Sequence, residues 1–320
     1  MTALVDPLRR AGLLGALLAA SPSWAQAPRR VVLGTATPGG GFPVYGNAVA
    51  RIVNATDEGL HVETRNTLGS TENIPLLEAG RLDLGLVQGE ALYEALAGIG
   101  RAPAEVRIVA AMYATAGMFV VRADSPWRSI GDLRGQRVAF GARGSGLVIL
   151  ARYVLEALGL DIERDFEALF LERAGDGPPL LREGRVAALW GGGSQWPGFV
   201  AAMQAPGGGR FIVPDAEEIE RVLARHSFLK RQTLAAHSYP GQPEALVSVG
   251  SWSFIVARPT LDDEIAYRFT RALHRGEQAL GQALHQAAET RAVNTALHVP
   301  RPDLLHPGTR RYLQEIGALR

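Results

Sequence analysis

Residues 76–96 read LLEAGRLDLGLVQGEALYEAL, and residues 180–203 read LLREGRVAALWGGGSQWPGFVAAM. Each stretch runs in the same order: a Leu-Leu helix, a Gly-Arg stop, a short apolar strand, a polar loop and another helix. A glycine-rich turn precedes each. Ahead of the first, RRVVLGTATPGGG (29–41) is a β-branched run ending in glycines. Ahead of the second, RVAFGARGSGLVILARYVLEALGL (137–160) is a strand, a glycine turn and a helix. One α/β unit is therefore written twice, and the chain is expected to form two similar lobes.

The segments between agree. FPVYGNAVARIVNA (42–55) places Val44, Ala48 and Ile52 at helical spacing, LHVETRNT (60–67) alternates like a strand, and VRIVAAMY (106–113) is a buried strand. This βαβα order implies parallel sheets covered by helices on both faces. A helical tail from residue 259 opens with Asp262, Asp263 and Glu264, where the helix dipole favours acids. In open parallel sheets the ligand sits at the carboxyl ends of the strands. That directs attention to loops 34–46, 67–73, 88–90, 141–147 and 191–197, facing one another across a cleft.

Composition bounds the function. The chain has 320 residues, 47% hydrophobic and 20% charged, with a net charge of +1 spread along its length. It has enough apolar material for a core and no basic stripe for nucleic acid. At the N-terminus Arg9 and Arg10 precede the apolar run AGLLGALLAA, and SPSWAQA follows, ending small-x-small. This is the pattern of a Sec-type signal peptide over residues 1–27, cleaved after Ala27, with the Arg pair also compatible with twin-arginine export. The run falls short of the ~20 apolar residues of a bilayer span, so the mature chain is not expected to insert into a membrane. There are no cysteines, so an exported chain must rely on its core alone.

Catalytic signatures are lacking. No serine sits in a Gly-x-Ser-x-Gly frame. GARGSG does not end as a P-loop does, and no Gly-x-Gly-x-x-Gly occurs. The seven histidines are scattered without ligand spacing, so neither a metal nor a cofactor is expected. Binding groups are more evident. In GSTEN (69–73), Ser70 either N-caps a helix or faces a ligand, and Asn73 has an amide free to point outward. In GARGSG, Gly144, Ser145 and Gly146 let successive N–H groups converge at a helix start, a setting for an anion. Arg143 beside them offers a forked donor to a carboxylate. Gln88 ends an otherwise apolar strand. Gly192, Gly193 and Ser194 offer bare backbone, and Tyr45, Tyr113 and Trp196 are candidate walls, each equally at home in a core. Amides, hydroxyls, N–H groups and aromatics bind and release.

These residues also carry a family resemblance. LGTATPGGGFPVYGNAVARIVN (33–54), TLGSTENIPLLEAGRLDLGLVQGEALYEALAG (67–98), GARGSGLVILARYVLEALGL (141–160), YPGQ (239–242) and LHPGTRRYLQEIG (305–317) resemble the TAXI family of TRAP-transporter solute receptors, in the NMT1-like superfamily. The resemblance implies a type II periplasmic binding protein: two α/β lobes joined by two hinge strands, near 118–122 and 252–257, with the ligand cleft between them. The lobes would be 28–117 with 258–320, and 118–257. It also implies a periplasmic receptor that carries a small carboxylate, glutamate-like or dicarboxylate, to a sodium-driven TRAP-type permease. Pocket positions implied by the resemblance are Thr35, Ser70, Asn73, Gln88, Tyr113, Ser145, Gly146 and Gly192 to Ser194. Two departures stand out. The family's Tyr-Tyr-Pro run is replaced by Phe42-Pro43-Val44 before Tyr45, and Leu147 stands where the family has threonine. Both favour a more hydrophobic or aromatic acid. Alternatives are the receptor of an ABC importer of the thiamine-precursor or sulfonate type, a periplasmic enzyme on the same fold, and a sensing partner of a membrane kinase. Intact mass of the exported protein is expected to place the mature start at Pro28; an uncleaved N-terminus would overturn the export reading.

Overall fold

Two strands are long enough to serve both lobes, and the rest of the chain is arranged around them. The computed structural model describes residues 27–319; the leader expected at the N-terminus lies outside the described residues. The first lobe begins β1 (Arg29–Gly34), α1 (Gly41–Thr56), β2 (Leu60–Arg65), α2 (Ser70–Glu78), β3 (Leu84–Gln88) and α3 (Gly89–Ala97). The long strand β4 (Arg107–Arg122) leads out of it. The second lobe holds β5 (Arg137–Ala142), α4 (Gly146–Ala157), β6 (Glu167–Leu171), α5 (Gly177–Arg182), β7 (Ala188–Gly192), α6 (Pro197–Gln204), β8 (Gly209–Ile212), α7 (Ala216–Arg225) and β9 (Lys230–Leu234). The second long strand, β10 (Leu246–Ala257), returns to the first lobe, where α8 (Asp263–Arg275), α9 (Glu277–Ala283), α10 (Ala292–His298) and α11 (Pro307–Glu315) complete the chain.

The sheet order is β2-β1-β3-β10-β4-β7-β5-β6, with β8 added on β4 and β9 on β10. β1 pairs in parallel with β2 and β3, and β5 pairs in parallel with β6 and β7. An antiparallel long strand borders each trio, β10 beside β3 and β4 beside β7. The two repeated segments thus give equivalent strands: β3 and β7 each lie between the central parallel strand and the long antiparallel one. Both are fully buried, as strands covered on two faces must be. The expected two-lobed α/β architecture is the observed one.

Each long strand changes partners along its length. β4 pairs with β10 from Arg107 to Ala116 and with β7 and β8 from Gly117 onward. β10 pairs with β9 from Leu246 to Gly250, then with β4 and, from Ser253, with β3. The exchange falls at Ala116–Gly117 and at Gly250, so segment 118–122 lies just inside the second lobe and 252–257 just inside the first. One apolar cluster runs across the exchange, from Leu77 and Leu92 to Phe140, Val154 and Trp190. Separate clusters fill the α1/α8 face of the first lobe and the α5/α6 face of the second. The acids read at the start of the tail do cap α8, where the Asp262 carboxylate accepts from the N–H of Glu264 at 2.9 Å and of Ile265 at 3.2 Å.

The crossing is tight. Gly250 faces Ala116 in the register, and a Cβ on it would lie 1.7 Å from the Thr115 carbonyl oxygen. Gly250→Val must therefore push β10 off β4, and chemical denaturation is expected to show a loss of about 3 kcal/mol, the upper range for overpacking a core. A loss below about 0.5 kcal/mol, the usual scatter of surface substitutions, would refute the contact.

Candidate functional site

The two lobes meet at the starts of three helices. α1 begins at Gly41, α2 at Ser70 and α4 at Gly146, behind N-cap residues Gly40, Gly69 and Ser145. Only Ser145 caps with its side chain, its Oγ accepting from the Leu147 N–H at 3.2 Å. All three positive helix ends therefore face one cavity, lined among others by Gly40, Gly41, Gly69, Ser70, Ser145 and Leu147.

The lobes are closed on each other. The Gly144 carbonyl accepts from the Thr71 N–H at 3.2 Å and the Thr71 hydroxyl at 3.1 Å. On the other rim, the Ala174 N–H donates to Thr37 Oγ1 at 3.1 Å and the Gly175 N–H to the Pro38 carbonyl at 3.3 Å. Glycines make this approach possible. A Cβ on Gly144 would lie 2.7 Å from Leu68, and one on Gly146 would lie 2.6 Å from Gln88 Cβ. One on Gly39 would lie 2.4 Å from Gly175 Cα. The space left open to water-sized molecules is about 50 Å³, enough for several waters at about 10–15 Å³ each.

Seven of the sequence candidates line this space: Ser70, Gln88, Tyr113, Ser145, Leu147, Gly192 and Trp196. No charged side chain does. Gln88 is the most exacting of them. It is buried, and its Nε2 has no hydrogen-bond partner among the described residues. Burial pushes the Tyr113 phenol well above its usual pKa, so it stays a neutral donor. Room for the Trp196 indole is made by Gly191 and Gly198, where a Cβ would strike the ring at 2.6 and 2.3 Å. Tyr239, from the YPGQ segment, fixes the loop by donating to the Gly193 carbonyl at 2.7 Å and accepting from the Trp196 N–H at 2.8 Å.

The remaining candidates are not brought to the cavity wall. Asn73 is fully buried and its amide donates to the Thr35 and Leu86 carbonyls at 2.8 Å each, pinning β1 to β3. Thr35 turns its hydroxyl to the Arg65 carbonyl at 3.1 Å. Tyr45 stands behind the wall, its ring edge-on to Tyr113 at 5.3 Å and its hydroxyl 2.9 Å from Thr290 Oγ1. Arg143 is exposed, and its guanidinium lies 4.7 Å from the centre of the Phe170 ring; the expected carboxylate clamp is not formed there. Gly146 abuts Gln88 and Ser70 at the seam between the lobes. Gly193 and Ser194 sit in the loop held by Tyr239. Thr37, within loop 34–46, also lines the cavity, as do Thr115 and Gln286, which lie outside every loop picked out by the sequence. Gln286 arrives from a short turn after α9, far along the chain, and only the return of β10 to the first lobe could have placed it.

A model of the NMT1-like family matches residues 33–317. The chain belongs to that family. Among solved structures, it is similar to a protein from Bordetella bronchiseptica RB50, with 15% identity and a TM-score of 0.57 over 91% of this chain and 99% of that one. A TctC solute binding protein from Polaromonas, without ligand, matches at 16% identity and a TM-score of 0.50, covering 93% and 100%. An ancestral arginine-binding protein bound to arginine matches at 14% identity and a TM-score of 0.51, covering 82% and 99%. These likenesses are of fold. Among the described residues of this NMT1-like chain, no helix is long and apolar enough to cross a membrane.

Behind Gln88 lies a charge-bearing group that does not touch the cavity. Glu90, in the first turn of α3, is fully buried. Burial pushes its carboxyl up to about 7, with Ser251 and Gln88 pulling the other way. Between the ordinary carboxylate value and about 7, the folded chain keeps a proton that the unfolded chain has lost. Stability from this group therefore falls as pH rises through that window, by on the order of 3 kcal/mol in all. Glu90→Gln is expected to remove most of that fall, so urea midpoints at pH 5 and pH 8 should draw together. A variant as pH-sensitive as the parent would exclude Glu90 as the source.

Proposed function

We propose that this chain is an extracytoplasmic solute receptor of the periplasm that closes its two lobes on a small organic anion and delivers it to a TRAP-type membrane permease. The lobes in this reading are 28–117 with 258–320, and 118–257. The observation that carries it is the cavity itself: three positive helix ends around a space with no formal charge in its wall. Such a wall attracts an anion without neutralising it irreversibly. N–H groups of Gly41 and Ser70 are the helix-end donors in the wall, and Gln88 and the Tyr113 hydroxyl add neutral ones. The charge is thus held by fixed dipoles and not by Arg143.

The rest of the wall selects the body of the ligand. Phe42, Leu147 and Trp196 give it an apolar surface, which supports an acid more hydrophobic than glutamate. Binding and release need no chemistry, and the groups around the cavity include no paired acid and base or activated nucleophile. Ligand contributes by bridging donors from both lobes, and so favours the closed arrangement over an open one.

The glycine seam supplies the test. Gly144→Ala adds a methyl group that meets Leu68 only when the lobes are shut. Calorimetry against a panel of aliphatic, aromatic and dicarboxylic acids is expected to find a ligand for the parent protein. The variant should bind it at least tenfold more weakly, about 1.4 kcal/mol, with an unchanged melting temperature in the absence of ligand. Equal affinity would remove closure from the reading. Tight binding of uncharged solutes alone would remove the anion.

A further inference from the structure

A second space, sharing no lining residue with the cleft, opens beside the shared strand β10. It lies between α3, the residues following α10 and the start of β9, and has about 620 Å³ open to water-sized molecules, within the usual range for small-molecule sites. Its surface is apolar and aromatic. Tyr93 stacks on Phe228 at 4.0 Å and 10°, joining the first lobe to the second. Trp252 of β10 stacks on His298 at 4.0 Å and 16°. Leu297 overhangs it at 69% exposure, a cost for a leucine with nothing upon it.

The charge at this groove has one sign. No aspartate or glutamate lines it, whereas Lys230 and Arg301 do. Lys230 is the only lysine in the chain. Its ammonium donates to the Ser227 carbonyl at 2.9 Å, and among the described residues it makes no ion pair. Arg301 has Asp303 at 3.2 Å, but both side chains are about two-thirds exposed, 66% and 68%, and such pairs contribute little. Burial lowers the pKa of His298, so the stacked ring is neutral near pH 7.

We propose that this groove is a second ligand site, for an amphipathic organic anion whose apolar body lies on Trp252, Phe254 and Leu96 and whose single acidic head meets Lys230. The stacked aromatics provide flat faces for a chain or ring, and the ammonium provides the one cation without a carboxylate. The site stands independently of the cleft, since its walls and its charge are its own. Because Tyr93 and Phe228 come from different lobes, an occupant spans their junction.

Having a single lysine makes the test direct. Reductive ¹³C-methylation of the whole mature protein marks Lys230 and the α-amino group, and Lys230→Arg identifies which resonance is which. Titration with decanoate is expected to shift the Lys230 resonance to saturation, whereas decyltrimethylammonium at the same concentrations leaves it in place. Lys230→Glu, an exposed substitution, should weaken decanoate binding at least tenfold by calorimetry, without altering affinity for the cleft ligand. A shift that rises without saturation, equal binding of the cationic amphiphile, or unchanged decanoate affinity in Lys230→Glu would overturn the proposal. So would sedimentation showing that this face instead joins two copies of the chain.

Discussion

The register of β4 on β10 rests on a contact that only a glycine permits, with the Cα of Gly250 seated against the Thr115 carbonyl. Immediately beyond it, Gly117 lies so close to the Trp190 ring that a Cβ would stand 2.7 Å away. Between these two glycines both long strands exchange partners. Each lobe keeps its own parallel trio, and the crossing sets one trio against the other. An antiparallel pair is suited to this, because its bonds run perpendicular to the strands and let one strand leave one sheet and enter the next without breaking the ladder.

The cleft follows from that setting. The glycine turn after β1 meets Gly175 beyond β6, and the glycine turn after β5 meets Leu68 and Gly69 ahead of α2; these approaches need glycine at the seam, and backbone groups then bond directly across it. A charged wall would be a liability in such a place. With the lobes shut and little water left, an unpaired cation would bear a large desolvation cost, so a chain with an arginine in the wall would resist closing. Neutral donors and helix ends carry a smaller cost, because an unpaired dipole loses less hydration than an unpaired charge, and their direction is already fixed. The position of Arg143 on the outer surface, against Phe170, is consistent with this economy of charge.

The doubled segments were legible because β3 and β7 carry the same local sentence of helix, stop and strand, and local signals survive in a sequence. Six cavity residues come from the turns around them, and Tyr113 comes from β4. What failed to show was direction. Asn73 sits at a strand-to-helix turn, as a ligand-facing amide would, yet the Thr35 and Leu86 carbonyls lie nearer and take it. Arg143 is one residue from the glycine seam, but the ring of Phe170, delivered by a neighbouring strand, decides where it points. Gln286 reaches the cavity from a turn beyond α9, and the exchange point at Gly250 is a matter of register. Both depend on long-range pairing that no local pattern encodes.

One short segment connects these regions. The Gln88 N–H donates to Ser70 Oγ at 3.1 Å, the residue lines the cavity, and it pairs opposite Ser253 of the shared strand. Next to it, a Cβ on Gly89 would lie 2.3 Å from Ser251 Oγ, and Glu90 follows, its carboxyl buried beneath and its pKa raised by that burial. Anything that moves the Gln88 amide therefore moves residues already in contact with β10, and a packed interior has little room to absorb the shift. The confinement of the Glu90 carboxyl, which favours the protonated form, ties the charge state of this segment to the packing of α3 against the crossing.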